Sequence, residues 1–375
     1  MKKLEITPIR HGSVPADPEL FGRDVAEKVR AFHRTLPGYG VTPLRSLENL
    51  AGSLGVRGIR VKDESFRFGL NAFKALGGSY AIHGLLTDTP RTFVTATDGN
   101  HGRGVAWAAR VLGQRAVVYM PRGSALERLE NIRAQGAEAE IIDMPYDDVV
   151  RYARRQAEEH GWVLTQDTAW PGYTEIPTRI MQGYTTLGLE ILEELGDSVP
   201  THVFLQAGVG SMAGAMAGFL AAVYGDRRPK VVTVEPFTAD CIYRTAEADD
   251  GALHCCDGEQ MHTIMAGLCC GEPCSVAWDY LRGHADFALR MADAVAATGM
   301  RVLGNPLPGD ERIISGESGA SAFAVAYALL ADPDLAGEKE RLGLDGQSEI
   351  LVISTEGDTD RRNYRDIVWG GKYGQ

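Results

Sequence analysis

The feature that most constrains this chain is its alternation of short, wholly apolar runs with longer amphipathic ones. Thr92–Ala96, Ala116–Met120, Ala139–Ile142 and Trp162–Leu164 read as strands. Helices are expected between them at Gly102–Leu112, Ala125–Gln135 and Asp147–His160. The pattern then resumes with a helix at Arg179–Leu195, a strand at His202–Gln206, a helix at Met212–Tyr224 and a strand at Lys230–Val234. A helix at Glu317–Leu330 and a strand at Ile350–Ser354 close the series. Strands that are continuously apolar are covered on both faces, which is the mark of a parallel sheet. The unit is therefore βαβ with right-handed crossovers. Before it, Gly58–Glu64 reads as a strand leading into a loop, and Glu19–Thr35 and Leu47–Leu54 as helices. From Thr238 to Pro308 the pattern weakens, and this part is expected to be an insertion covering the site or a partner subunit.

At 375 residues the chain has room for two α/β domains. No apolar run approaches the roughly 20 residues that span a bilayer, and Met1–Ile6 lacks the apolar core of a signal peptide. The expected location is the cytoplasm. A formal charge of −12 argues against a nucleic-acid surface and says little about a small substrate. Cys241, Cys255, Cys256, Cys269, Cys270 and Cys274 cluster in the weakly patterned segment, near His254 and His262. Their spacing fits no common zinc pattern, so no metal is expected. A disulfide from Cys241 to Cys269 or Cys270 stays open.

Four segments carry chemistry. In the first, Lys74 stands where a loop turns into a helix, after Phe73 and before the small residues Ala75, Gly77, Gly78 and Ser79. Small neighbours would leave room for a flat cofactor, while Phe73 and Leu76 keep water away. An amine so placed loses its charge more easily and can form a Schiff base. Taken alone, a helix lysine is ordinarily a surface residue. The second segment, Thr95–Gly102, joins a strand to a helix N-terminus, where backbone N–H groups and the helix dipole attract an anion. A substrate carboxylate is the natural one, although Asn100 and Gly99 equally suit a plain capped turn. The third, Gln206–Gly214, carries glycines whose backbone can cradle a phosphate. It also fits the Gly-x-Gly-x-x-Ala dinucleotide fingerprint, with Glu235 ending the next strand where a ribose-binding acid would stand. The fourth, Gln166–Pro177, places Asp167 at a strand end, where α/β folds bind ligands.

The lysine segment resembles the Ser-Phe-Lys-x-Arg-Gly-Ala motif of fold-type II enzymes that use pyridoxal 5′-phosphate (PLP). Thr97–Gly102 resembles the Ser-x-Gly-Asn-His loop of the same enzymes. The glycine segment resembles their phosphate loop and follows the lysine in the same order. Ser354–Asp360 resembles the Ser-Gly-x-Gly-Asp-x-Asp segment of the tryptophan synthase β-like group. Across most of the chain the closest resemblance is to the diaminopropionate ammonia-lyase family. The resemblance implies two parallel-sheet α/β domains, a large one from 1–87 with 181–375 and a small one from 88–180. It implies that Lys74 carries PLP and that Asn100 bonds its ring hydroxyl. Gly208, Val209, Gly210, Ser211 and Met212 would hold the phosphate, and the Ser354 hydroxyl the pyridine nitrogen. A neutral hydroxyl there leaves the nitrogen unprotonated, which favours elimination. Glu317 is placed near the same edge. Thr97, Asp98, Gly99 and His101 would hold the substrate. The family acts on both enantiomers, which assigns Asp98 to the D-isomer and Asp167 to the L-isomer of 2,3-diaminopropionate. It also implies a homodimer.

Asp98 departs from the serine and threonine dehydratases, which carry a small residue there. A carboxylate beside a carboxylate-binding loop is costly unless a cation compensates. A second amino group on the substrate would supply one, which favours a diamino acid. The expected reaction is α,β-elimination to pyruvate and two ammonia. A serine/threonine dehydratase or β-replacing synthase would share every PLP residue. An NAD-dependent oxidoreductase would instead use Gly208, Gly210 and Glu235.

Overall fold

The computed structural model describes residues 3–12 and 16–374, so Met1 and Lys2 of the N-terminal reading lie outside the described residues. Among the described residues eleven strands form two sheets. In chain order they are β1 Leu4–Pro8, β2 Leu44–Ser46, β3 Gly58–Asp63, β4 Thr92–Ala96, β5 Arg115–Met120, β6 Glu138–Ile141, β7 Val163–Leu164, β8 His202–Gln206, β9 Lys230–Pro236, β10 Phe287–Met291 and β11 Glu349–Ser354. The larger sheet has the order β1-β10-β9-β8-β11-β3-β2, and the smaller one the order β6-β5-β4-β7. Every pairing in the small sheet is parallel. In the large sheet only the edge pairs β1–β10 and β2–β3 are antiparallel.

The wholly apolar strands are buried on both faces, as their composition requires. Along β11, Leu351 and Ile353 join one apolar cluster while Ile350 and Val352 join another on the opposite face. The first cluster runs on into the small sheet through Phe93, Val94 and Val118. Successive side chains of a strand point to opposite faces, so a strand covered on both sides must be apolar at every position.

Three strands escape a reading based on apolar runs. β1 and β2 lie at the edges, and β2 is too short to show a pattern. β10 lies inside the segment expected to be an insertion, and it pairs in parallel with β9. Arg290 interrupts its apolar run because that side chain leaves the strand to bond Asp240 Oδ2 at 2.5 Å and cover the Tyr243 ring. The segment from 238 to 308 is thus partly sheet. Its loop between the helices Cys241–Ala248 and Ser275–His284 reaches the site through Gly267, Leu268 and Cys270.

The helix expected at Arg179–Leu195 is two helices, Glu175–Gly183 and Thr185–Leu195. The break falls where the chain passes against the helix that follows Lys74, Ala75–His83. A Cβ at Gly183 would lie 2.5 Å from the Leu76 carbonyl oxygen, and one at Gly77 would lie 2.8 Å from the Tyr184 ring. On the other side, a Cβ at Gly104 would lie 2.9 Å from Ala75 N. The small residues after Lys74 therefore let helices approach one another, which corrects the expectation that they leave room for a cofactor. Gly183→Ala puts a methyl group against backbone that cannot rotate away, so a loss of about 1–3 kcal/mol is expected from overpacking. Gly52→Ala, at an exposed position of the helix Glu48–Leu54 with open space around it, should instead gain about 0.5–1 kcal/mol. Urea unfolding midpoints of the two variants beside the parent measure this contrast.

Candidate active site

The strand ends β4, β8 and β11 converge on one cavity, and the loop carrying Lys74 closes it. That loop is fixed from behind by charge. Arg67 is fully buried, with its guanidinium bonded to Glu64 at 2.8 and 2.9 Å and to Glu190 at 2.7 and 2.8 Å. From the front, Ala72 bridges Glu356 and the Phe73 N–H bonds the Thr355 carbonyl at 3.2 Å. Between these anchors Phe68 and Asn71 take positive φ values of 51° and 58°. Lys74 then emerges as the residue before the helix, facing the cavity.

Lys74 Nζ donates to Asp167 Oδ2 at 2.5 Å. Burial alone would lower the lysine pKa, but Asp167 and then Tyr184 outweigh it and push the amine well above its ordinary value. Burial likewise opposes charge on Asp167, yet His101 and Lys74 hold that carboxyl at about 2. Beside Asp167 the lysine amine is thus held in its charged form. This corrects the expectation that its apolar neighbours ease its charge away.

Thr97 organises the loop after β4. Its hydroxyl accepts the N–H groups of Gly99 at 2.9 Å and Gly102 at 3.0 Å. Gly99, with φ 153°, precedes the helix Asn100–Val111, so Asn100 is its first residue rather than its cap. Asn100 and His101 line the cavity together with Asp98. His101 Nε2 bonds the Thr165 carbonyl at 2.8 Å, and its buried Nδ1 has no hydrogen-bond partner among the described residues. It lies 3.7 Å from Asp167 Oδ2. Asp98 already has a cation, since Arg128 Nη1 lies 3.2 Å from its Oδ2. The argument that Asp98 needs a second substrate amine for compensation therefore falls.

The glycine loop lines the cavity from Gly208 to Met212. Among the described residues its five N–H groups find no acceptor. The helix Ser211–Tyr224 starts there, so its dipole adds to the attraction for an anion. A Cβ at Gly208 would lie 3.1 Å from the Gly267 carbonyl oxygen and 3.2 Å from Cys270 Sγ, and Gly210 has φ 95°. A cradle of free N–H groups that a side chain would fill, with an amine across the cavity, fits PLP. Glu235 is fully buried and accepts the N–H groups of Ile242 and Tyr243 at 2.8 and 2.7 Å. It caps a helix and does not face the cavity, so the ribose-binding acid of the NAD alternative is missing.

Two expected residues stand elsewhere. Ser354 is buried beside the cavity, its hydroxyl donating to Ser315 Oγ at 2.7 Å, while Thr355 and Glu356 form the wall at that strand end. Glu317 bonds Asn363 Nδ2 at 2.5 Å and lines an adjoining vestibule of about 580 Å³. Burial, with Glu356 nearby, pushes the Glu317 carboxyl up to about 7. All six cysteines are free, and no cluster of metal-ligating side chains occurs among the described residues. Cys270 lines the cavity, and Cys241 donates to the Gly208 carbonyl at 3.5 Å.

Sequence reading missed Glu356, Gln206, Tyr146 and Arg128. Glu356 accepts from Asn100 Nδ2 at 2.5 Å and from Thr359 Oγ1 at 3.0 Å. Gln206 spends its amide nitrogen on Ile353 O and Thr355 Oγ1, both at 2.9 Å. Both residues stood inside motifs already singled out, so their place beside a strand end was the available signal. Tyr146, at a helix start, lines both the cavity and the vestibule, and nothing in its local sequence marks it.

Residues 35–344 match the family model of pyridoxal-phosphate dependent enzymes. The chain is 50% identical over 380 residues to the diaminopropionate ammonia-lyase of Salmonella typhimurium, covering 94% of each. The Escherichia coli K12 diaminopropionate ammonia-lyase is 50% identical over 375 residues, again with 94% of each chain covered. A crystal structure of the Escherichia coli enzyme in complex with an aminoacrylate-PLP azomethine reaction intermediate superposes with a TM-score of 0.93. That match has 49% identity and covers 100% of this chain and 98% of that one. Lys74→Ala is expected to remove the visible absorption of lysine-linked PLP, and Gly208→Val to weaken PLP retention by filling the cradle. Absorbance spectra before and after desalting check both, and a band that survives in Lys74→Ala would assign the linkage to another lysine.

Proposed function

The chain belongs to the pyridoxal-phosphate dependent enzymes, and within them to the diaminopropionate ammonia-lyase family. On that premise we propose that it converts 2,3-diaminopropionate and water to pyruvate and two ammonia. The observation that carries this reading is the likeness to the diaminopropionate ammonia-lyases, half identical over nearly the whole of both chains. The cavity is consistent with it, because two aspartates and a lysine meet there. Lys74 is the residue that would hold PLP, with Asn100 at its ring hydroxyl and the Gly208–Met212 N–H groups at its phosphate. When bound, PLP supplies an electron sink that makes the substrate α-proton acidic.

The chain's own groups then divide the proton work. Asp98, on the loop after β4, takes the α-proton of the D-isomer. Asp167, on the loop after β7, takes that of the L-isomer. Asp98 is the better base of the two, since burial lifts its carboxyl to about 6 despite Arg128 and Lys74. Asp167 is held low by His101 and Lys74, which makes it the weaker base of the two. The β-amino group must leave as ammonia and therefore needs a proton. Lys74, kept as an ammonium by Asp167, is suited to give it. His101 stands beside Asp167 on the cavity wall, where the substrate would lie. Thr97 and Gly99 shape the loop that receives the substrate carboxylate. Ser354 acts at the pyridine-nitrogen edge of the same proposal, through the wall it shares with Thr355. The reading extends to domains at 1–87 with 181–375 and at 88–180, and to a cytoplasmic homodimer, the state that light scattering on the purified protein would report.

Purified protein with added PLP should release two ammonia per pyruvate from D- and L-2,3-diaminopropionate and turn over L-serine and L-threonine slowly. Turnover of serine or threonine alone would make it a dehydratase. Asp98→Asn should lose mainly D-isomer activity and Asp167→Asn mainly L-isomer activity, by about 100-fold or more, as for a lost general base. Steady-state rates on the two enantiomers measure the split, and equal losses in both variants would refute the division of labour.

A further inference from the structure

Arg128 is 5% exposed and lies on the small-domain helix Leu126–Arg133. It is absent from the wall of the PLP cavity and lines the vestibule behind it. Asp98 lines both spaces and stands between them. The guanidinium grips the loop after β4 twice, with Nη1 at 3.2 Å from Asp98 Oδ2 and 3.5 Å from the Asp98 carbonyl oxygen. Its Nη2 donates to Thr359 Oγ1 at 3.4 Å, which ties it to the turn after β11. The Arg128 stem also packs on the loop. A Cβ at Gly99 would lie 2.9 Å from Arg128 Cδ, so the glycine serves the arginine as well as its own positive φ.

We propose that Arg128 is a positioning residue for Asp98, which fixes that carboxylate at the cavity wall and keeps it in the charged form a base requires. The proposal rests on the reading of Asp98 as the D-isomer base. Burial works against charge on Asp98, and Arg128 is the largest opposing influence, followed by Lys74. The groups facing Asp98 come from every side. Arg128 approaches from its helix, Lys74 from the start of the Ala75–His83 helix and Glu356 from the turn after β11. Tyr146 approaches from the next small-domain helix, and Cys269 and Cys270 from the covering loop. Only Arg128 and Lys74 among these are cations. Lys74 is committed to Asp167 and, in the working enzyme, to PLP. That leaves Arg128 as the cation that stays with Asp98 throughout turnover. Because Arg128 belongs to the small domain and Thr359 to the large one, the D-isomer base is set by contacts across the two domains. Among the described residues no hydrogen bond or ion pair joins Asp167 to Arg128, and Asp167 depends on Lys74 and His101.

The test compares pH profiles of kcat/KM for the two enantiomers in the PLP-loaded enzyme and its Arg128→Met, Arg128→Lys, Glu356→Gln and Asp98→Asn variants. The parent's D-isomer rate should rise with pH through about 6, as the Asp98 carboxylate forms. In Arg128→Met this limb should move up by about 1–3 pH units, the usual effect of an adjacent opposite charge on a carboxylate. The acidic limb for the L-isomer should stay in place. Arg128→Lys should bring the D-isomer limb back toward the parent position. Glu356→Gln, which removes a carboxylate near Asp98, should move it down; this arm holds even where Arg128→Met does not fold. A second readout needs no turnover. In the protein before PLP is added, the infrared carboxyl band that Asp98→Asn deletes should titrate higher in Arg128→Met than in the parent. Equal losses on both enantiomers with unmoved limbs and an unmoved band would overturn the proposal and leave Arg128 a scaffold residue. A moved band combined with Asp98→Asn losing both enantiomers equally would instead refute Asp98 as the D-isomer base.

Discussion

The helix behind Lys74 is gripped at glycine distances on two sides, and the site's geometry depends on that packing. Gly77 and Gly183 let it meet the Glu175–Gly183 helix, and Gly104 lets it meet the Asn100–Val111 helix. Interiors are packed as densely as organic crystals, so backbones this close leave no slack for a methyl group. The three helices bring together what lies at their ends. Lys74 begins one, the Thr97–His101 loop begins another, and Tyr184 follows the third with its ring on Phe73 at 4.8 Å. A lysine, an anion-binding turn and an aromatic wall are thereby held in one place.

The charges around this packing are buried, and each has an answer. Arg67 lies between Glu64 and Glu190, with Lys62 also bonded to Glu194. Removing one partner of such a set leaves an uncompensated charge, which costs far more than the set contributes when intact. The network therefore fixes one conformation of the loop before Lys74. Nearer the cavity, Lys74 answers Asp167 and Arg128 answers Asp98. The two aspartates have the same side chain, and Asp98 is the more exposed (21% against 4%), yet Asp167 is held at about 2 while Asp98 rises to about 6. A direct ammonium contact with a histidine alongside outweighs burial at Asp167. A longer guanidinium contact with a carboxylate nearby does not at Asp98. Environments that push two like groups apart are how a site divides acid and base roles.

Much of this was legible in the chain. Wholly apolar runs announced a parallel sheet because a strand covered on both faces has no room for polar side chains. Three segments pointed to a PLP site because they resemble, in type and in order, the lysine motif, the Asn loop and the phosphate loop of fold-type II PLP enzymes. Lys74, Asp98, Asn100, His101, Asp167 and the Gly208–Met212 loop all reach one cavity. The edge strands were less legible, since pairing on one side allows short or mixed sequences. Glu235 was misleading, because a carboxylate at a strand end serves a ribose or a helix N-terminus equally well until the next turn of chain is placed.

Local sequence determined which residues could do chemistry, because residue type and the turn that carries it are set within a few positions. Only the tertiary structure decided what state those residues are in. Lys74 is charged because Asp167, far along the chain, lies 2.5 Å from it, and Asp98 needs no second substrate amine because Arg128 comes to it from another helix. The glycines after Lys74 likewise proved to serve helix contact rather than cofactor space. A charge's partner and a glycine's neighbour are both set by packing between distant segments, and no local pattern encodes them.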